Sequence, residues 1–330
     1  MDMNAQTKKR SLGQFFTKQN TWLRPQITQF IKSSGAKIAY DPFAGNGDLL
    51  GIAQSFGLKK VFGLDIDPAL GWKKNDSLIS IPKIHKSIII TNPPYLTNYS
   101  AQRKKIYDKV SQYFEACNYD DLYQLALEKC LTNDYGVVII PETFINSSFP
   151  KNRLVSITIL EDNPFDDTET PVCVVCFDNK LKSLDKVSVY KNDKLLGTLG
   201  YFEKFRIAPN NSIDIKFNIV NGKIGLRAVD TTDPHRPISF MPKNELDYDL
   251  KGIKHSSRLI TIIDMPTNKH GMHYIIKKSN QILTEFRKKT HDVLLSPFKG
   301  NKKNGERRRR LDYATARAIL EQAVSNERLF

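Results

Sequence analysis

Apolar residues in the first half of the chain fall into short blocks rather than long stretches. AKIAY (36–40), KKVFGLDID (59–67), SIIIT (87–91), GVVII (136–140), LVSITIL (154–160) and PVCVVCF (171–177) are brief and largely β-branched or aliphatic. Each predicts a buried strand. Between them, LLGIAQSF (49–56) and residues 119–131 carry apolar side chains at helical spacing. Alternation of this kind over residues 35–177 predicts an α/β layered fold with a largely parallel sheet. After about Lys180 the pattern changes. Lys, Asn and Arg become denser, and the strand-like pieces, such as VSVY and KIGL, become shorter. A boundary is expected near Leu181 to Lys186, dividing the chain into domains 1–182 and 183–330. LDYATARAILEQAV (311–324) predicts an amphipathic helix.

Composition narrows the partner class. With 50 Lys and Arg against 35 Asp and Glu, the chain carries a net charge of +15 over 330 residues. Such a balance points to a polyanionic partner, or to no more than a basic surface. No apolar run approaches the length that spans a bilayer. The opening MDMNAQTKKR lacks the apolar core of a secretory signal, so a cytoplasmic protein with no membrane contact is expected. Cys173 and Cys176 have C-x-x-C spacing without a second ligand pair, and so are expected to be buried thiols rather than a zinc or redox site. His270 and His273 are expected in a loop. No metal is expected.

Two stretches carry candidate chemistry. DPFAGNG (41–47) follows a strand and precedes a helix, and its Gly45 and Gly47 permit a tight turn with close backbone approach to a ligand. Leu50 stands where a dinucleotide fingerprint needs its third glycine, which weakens a pyrophosphate reading. Asp65 in GLDIDP closes the next strand, where a carboxylate can accept from both ribose hydroxyls, or can serve as a loop acid or helix cap. Asp41, Asp65 and Asp76 all fall where open α/β sheets bind ligands. Three acids around a glycine turn suit a cationic nucleoside, such as a sulfonium with an amino acid arm, better than a phosphate. In TNPPYLTN (91–98), prolines end a buried strand in a rigid, non-helical turn.

In order along the chain, GQFFT (13–17), DPFAGNG, GLDID, the Asp of NDSL and TNPPY resemble the S-adenosylmethionine-dependent amino-group DNA methyltransferases, specifically the adenine-N6 members of the gamma arrangement, of restriction–modification type. The resemblance covers residues 11–177. It implies a class I methyltransferase fold, a Rossmann-like mixed seven-stranded sheet, followed by a C-terminal DNA-recognition domain. It further implies that Asp41, Phe43, Gly45 and Gly47 cradle the methionine portion of S-adenosylmethionine, that Thr17 closes that pocket, that Asp65 holds the ribose, and that Asp76 accepts from the adenine amino group. Ser77 occupies the place of an aromatic that relatives pack on the cofactor ring; Leu78 is the candidate replacement.

The chemistry implied is methylation of a planar, conjugated nitrogen. The Asn92 side-chain oxygen and the Pro93 carbonyl would accept from the two N–H bonds of the target amine, held without reorganisation by the prolines. Tyr95 would offer a face on which an extruded adenine stacks, since a base inside a duplex cannot reach such a pocket. Phe165 would cover the base's other face, or else belong to the core. The run Arg307, Arg308, Arg309, Arg310 would meet DNA phosphates, or form a solvated surface. Double-stranded DNA is the expected partner, with a cognate restriction endonuclease acting separately. The same fold and turn also serve protein-glutamine and RNA-base methylation, which stand as the alternative.

Overall fold

The structure, a computed structural model, describes residues 20–55, 57–165, 168–246, 259–266 and 271–325. It divides into two compact units, 1–200 and 201–330.

The first unit is built on one sheet. Its elements are α1 (Pro25–Ser33), β1 (Ile38–Asp41), α2 (Asp48–Ser55), β2 (Lys60–Asp65), β3 (Lys73–Lys74), β4 (Ser87–Thr91), α3 (Asn98–Arg103), α4 (Ser111–Glu115), α5 (Leu122–Cys130), β5 (Gly136–Pro141), β6 (Leu154–Ile159), β7 (Val172–Phe177), β8 (Ser188–Lys191) and β9 (Lys194–Thr198). The strand order is β3-β2-β1-β4-β5-β7-β6-β8-β9. β3, β2, β1, β4 and β5 are mutually parallel, and β7 runs antiparallel to both of its neighbours. The first seven strands thus reproduce the class I methyltransferase arrangement expected from the motifs. β8 and β9 extend it to nine. They are short, half-exposed strands; β8 pairs parallel to β6, and β9 forms the sheet's edge. They carry the first unit past the boundary expected at Leu181–Lys186, out to Gly200.

Every residue of β4, β5 and β7 is buried. Both faces of the sheet are covered, which is why these strands read as continuous apolar runs rather than alternating ones. On one face Ile88, Ile90, Val137 and Ile139 join Ile27 and Ile31 of α1 and Leu49, Leu50 and Ala53 of α2 in a single core. Pro25 starts α1, where its missing N–H is not needed. A separate cluster of Leu96, Ala101, Val110, Tyr113, Phe114, Leu122 and Leu125 binds α3, α4 and α5 together. Cys173 and Cys176 are fully buried in β7. Three residues apart in a strand, their side chains leave opposite faces and cannot share a metal. Burial pushes the Cys176 thiol up to about 12.

The second unit follows α6 (Leu199–Glu203), a short helix that bridges the division. It contains β10 (Lys216–Phe217), β11 (Ile224–Arg227), β12 (Ser239–Pro242), β13 (Ile260–Asp264), α7 (Gly271–Thr290), β14 (Ser296–Asn301), β15 (Arg307–Arg310) and α8 (Tyr313–Ser325). β10, β13, β11 and β12 form an antiparallel sheet, and β14 pairs with β15 as a hairpin. His273 lies on α7 rather than in a loop; His270 lies outside the described residues. The unit is tied together by Asp230, which is fully buried. Its carboxylate accepts two bonds from Arg287 at 2.8 and 3.0 Å, and the N–H of Ile238 and of Arg309. Burial alone would raise its pKa, but Arg287 and these donors together hold it below the usual carboxylate range.

Candidate functional site

A cavity of about 310 Å³ opens at the carboxyl ends of β1, β2 and β4. This is the point where the strand order reverses, β1 leading to β2 on one side while β4 lies on the other, and open α/β sheets place ligands in that crevice. Asp41, Asp65 and Asp76 all line it, as do Phe43, Gly45 and Asn92. The cavity belongs wholly to the first unit.

The three acids differ in setting. Asp41 is 2 % exposed; its Oδ1 accepts from the Phe43 N–H at 2.9 Å and from the Thr91 hydroxyl at 2.5 Å. Burial pushes its pKa up to about 7, and the nearby Asp65 adds to the rise, against the opposing pull of these two donors. Asp65 is also buried, with Oδ2 accepting from the Gly45 N–H and Oδ1 from the Asp67 N–H, both at 2.9 Å. It is therefore neither a surface acid nor a free one: it braces the glycine turn. Each oxygen retains acceptor capacity for a further donor. Asp76 accepts from the Leu78 N–H at 3.2 Å and from the Tyr113 hydroxyl at 2.7 Å.

The glycine turn has a different rationale at its two glycines. Gly45 (φ 53°) and Gly47 (φ 83°) both adopt left-handed backbone. Gly45 lines the cavity, but Gly47 backs onto Trp72: a Cβ there would stand 2.8 Å from the indole ring. Trp72 also donates from Nε1 to the Gly45 carbonyl at 2.9 Å. The left-handed backbone at both positions makes the tight turn, and at Gly47 the side that a Cβ would occupy is filled by tryptophan. Leu78 lines the cavity as expected, together with Ile66, an apolar side chain left 47 % exposed. Sequence reasoning missed Ile66, Trp72 and Tyr113. The signal for Ile66 was its place between the two acids of GLDID. Thr17 lies outside the described residues.

Beyond Asn92 the Asn-Pro-Pro-Tyr turn is packed inward. Pro93 is buried, and Tyr95 lies half-buried against the apolar core of the sheet. The Tyr95 hydroxyl stands 2.5 Å from Asn92 Oδ1 and donates toward the Ile139 carbonyl at 2.9 Å, so β5 anchors the turn. Burial pushes this hydroxyl's pKa well above its ordinary value. Phe165 is 5 % exposed and meets the Tyr95 ring edge-on, with centroids 6.2 Å apart and planes at 70°. Two parallel walls awaiting a base are therefore not preformed.

The arginine run is corrected more fully. Residues 307–310 form a strand, so alternate side chains point to opposite faces. Arg307 and Arg309 are buried, at 5 % and 1 % exposure. Arg308 is half-buried, donating from Nε to the Asp230 carbonyl at 2.7 Å and lying over the Phe298 ring. The run is neither a solvated surface nor a row of four phosphate contacts. Among the described residues no group of three or more His, Cys, Asp or Glu is placed to hold a metal ion. Among the same residues no helix is long and apolar enough to cross a membrane.

No family model matches the sequence, and no curated protein matches it. Among solved structures the chain is similar to a modification subunit of a putative type I restriction enzyme from Vibrio vulnificus YJ016, with 15 % identity over 57 % of this chain and 49 % of that one and a TM-score of 0.40. It is similar to a putative class I S-adenosylmethionine-dependent methyltransferase from Listeria monocytogenes, with 14 % identity over 53 % and 65 % and a TM-score of 0.37. It is also similar to a putative RNA methyltransferase from Pyrococcus horikoshii, with 17 % identity over 52 % and 88 % and a TM-score of 0.33. The chain thus spans less than two thirds of the length of the first two.

Proposed function

We propose that the chain is an S-adenosylmethionine-dependent methyltransferase acting on the N6 amino group of an adenine extruded from duplex DNA, of restriction–modification type. The observation that carries this reading is a shared residue. Asn92 lines the acid-ringed cavity and is also the first residue of the Asn-Pro-Pro-Tyr turn. A nucleoside in the cavity and an amine held by the turn would meet at one side chain.

The cavity suits the cofactor. Its volume falls at the small end of the range for ligand sites. Its acids would face a cation and ribose hydroxyls, and Ile66, Leu70 and Leu78 offer apolar surface for a purine. The cofactor supplies an activated methyl on a positive sulfur. Asp65 would accept from the ribose, Asp76 from the purine amino group, and Asp41 would counter the positive charge. Asn92 and the Pro93 carbonyl would accept from the target amine, favouring the pyramidal nitrogen of the transition state. Tyr95 would support the base, and its bond to β5 fixes the turn's position. In-line placement of the two reactants would then supply most of the acceleration. The second unit would recognise the DNA site, and a restriction endonuclease would act as a separate partner.

The test is transfer of a tritiated methyl group from S-adenosylmethionine to duplex DNA, tRNA and protein in parallel, followed by nucleoside analysis. N6-methyladenine in DNA is the expected product. Label in tRNA or in protein glutamine, with none in DNA, would overturn the reading.

A further inference from the structure

Four residues beyond Tyr95 the chain presents an exposed aromatic ring and then three consecutive cations. Tyr99 is 65 % exposed. Arg103, Lys104 and Lys105 are all exposed as well. Tyr99 and Arg103 are spaced i, i+4 on α3 and so share one face of it. Lys104 and Lys105 follow at its C-terminal end, where the helix dipole favours positive charge.

The helix is short but firmly placed. Thr97 caps it, its hydroxyl accepting from the Ser100 N–H at 2.9 Å. The Asn98 N–H donates to the Asp120 carbonyl at 2.8 Å and the Leu122 N–H to the Leu96 carbonyl at 3.0 Å, so the segment before α5 pins the helix start. Ala101 is fully buried beneath it. The start of the helix is thus tied to the segment that leads into α5. At full extension four residues span about 14 Å, or about four nucleotide steps along a strand.

Two of the three cations carry exposed charge with no acid beside them among the described residues. Arg103 and Lys105 form no ion pair with a described residue. The pKa of Lys104 is lowered by burial and by the Arg103 charge beside it. Asp120, the acid nearest in the backbone pairing, sits at the opposite end of the helix. Crowded like charges beside an exposed ring suit a ligand that brings regularly spaced anions and flat apolar faces together.

We propose that this face of α3 seats the duplex strand flanking the extruded nucleotide, with Arg103, Lys104 and Lys105 on its phosphates and Tyr99 against the base or sugar edge beside the gap. The inference rests on the reading of the chain as a DNA methyltransferase, and names a contact surface within the catalytic unit itself.

The experiment uses the full chain and a duplex carrying the site that the wild-type protein methylates, found by sequencing its product. Binding is measured across a salt series for wild type, for R103Q/K104Q/K105Q and for Tyr99→Ala, with calorimetric affinity for S-adenosylhomocysteine as a check on the fold. The triple variant should keep its cofactor affinity while its log–log salt slope becomes shallower by up to about 2.7, at about 0.9 per phosphate contact. Tyr99→Ala should weaken binding roughly 5- to 150-fold, the range for a lost aromatic–base contact, without changing the slope. Should the triple variant lose cofactor affinity, Lys105→Gln alone still tests the surface through a slope change of up to about 0.9. Unchanged slope and affinity in variants of a protein that does methylate DNA overturns the inference alone. A wild-type protein that methylates tRNA or protein and not duplex DNA overturns the functional reading, and this inference with it.

Discussion

The Tyr113 hydroxyl donates to the Asp76 carboxylate across 2.7 Å, at the edge of the cavity that both residues line. Tyr113 comes from α4 and Asp76 from the turn after β3, so the bond ties a covering helix to the sheet's loop. It fixes one carboxylate oxygen while the Leu78 N–H fixes the other. The acid is thereby oriented before any ligand arrives.

Tyr113→Phe should leave the fold intact and free Asp76 to rotate. A hydrogen bond to a charged group is worth ~1.5–3 kcal/mol, so affinity for S-adenosylhomocysteine should fall by up to about 12- to 150-fold. Preference for adenine over a 6-oxo purine in that ligand should fall as well. Calorimetry with the adenosine and inosine forms reads both, and an unchanged preference would remove Tyr113 from purine recognition.

Asp41 gives a pH dependence whose sign is definite. Its folded-state pKa, about 7, lies above the ordinary value of 3.8. The folded chain therefore keeps a proton that the unfolded chain has lost between about pH 4 and 7. Stability should fall as pH rises through that window and level off above it, by up to roughly 4 kcal/mol. Asp41→Asn should flatten this part of the profile in urea titrations between pH 5 and 8. Affinity for the cationic cofactor should run the other way in wild type, rising as pH passes 7 and the carboxylate ionises.

Asn92→Ala removes the proposed acceptor for the target amine and the partner of the Tyr95 hydroxyl. Turnover should drop by ~10²–10³, as for loss of a preorganised transition-state donor or acceptor. Cofactor affinity should stay near wild type. Single-turnover methyl transfer alongside calorimetry separates the two, and a variant that keeps most of its turnover would refute the assignment.

Asp230→Ala strips the buried partner from Arg287 in the second unit. Breaking a buried ion pair costs ~3–5 kcal/mol. Thermal unfolding should show a large loss for that unit. Because the Asp230 pKa is depressed, its stabilisation is complete above the ordinary carboxylate range and is lost as pH falls through the folded value. The difference between wild type and variant should therefore shrink in acid.

The parts of the fold legible in the sequence were those where burial on both sheet faces leaves an unbroken apolar run. β4, β5 and β7 are of this kind; Asp41 and Asp65 could be placed as well, because each closes a short strand, β1 or β2, that the sequence also shows. VSVY was legible as a strand, but β8 and β9 were not legible as part of the same sheet, because short, half-exposed polar strands carry no mark of the neighbour they pair with. Arg307–Arg310 carries no apolar contrast, so its alternation between buried and half-buried faces leaves no trace in the pattern. The clamp of Trp72 on Gly45 and Gly47 joins residues far apart in the chain, and its cause is packing that no local spacing encodes.

That clamp makes the protein its own optical probe. The chain has two tryptophans. Trp22 is sealed in the core at 0 % exposure, whereas Trp72 is half-buried, with its indole bonded to the backbone of a cavity-lining turn. Any change in intrinsic emission when a small molecule fills the cavity should come from Trp72. Ligand titrations can then be followed in a spectrofluorimeter without a label, and Trp72→Phe provides the blank.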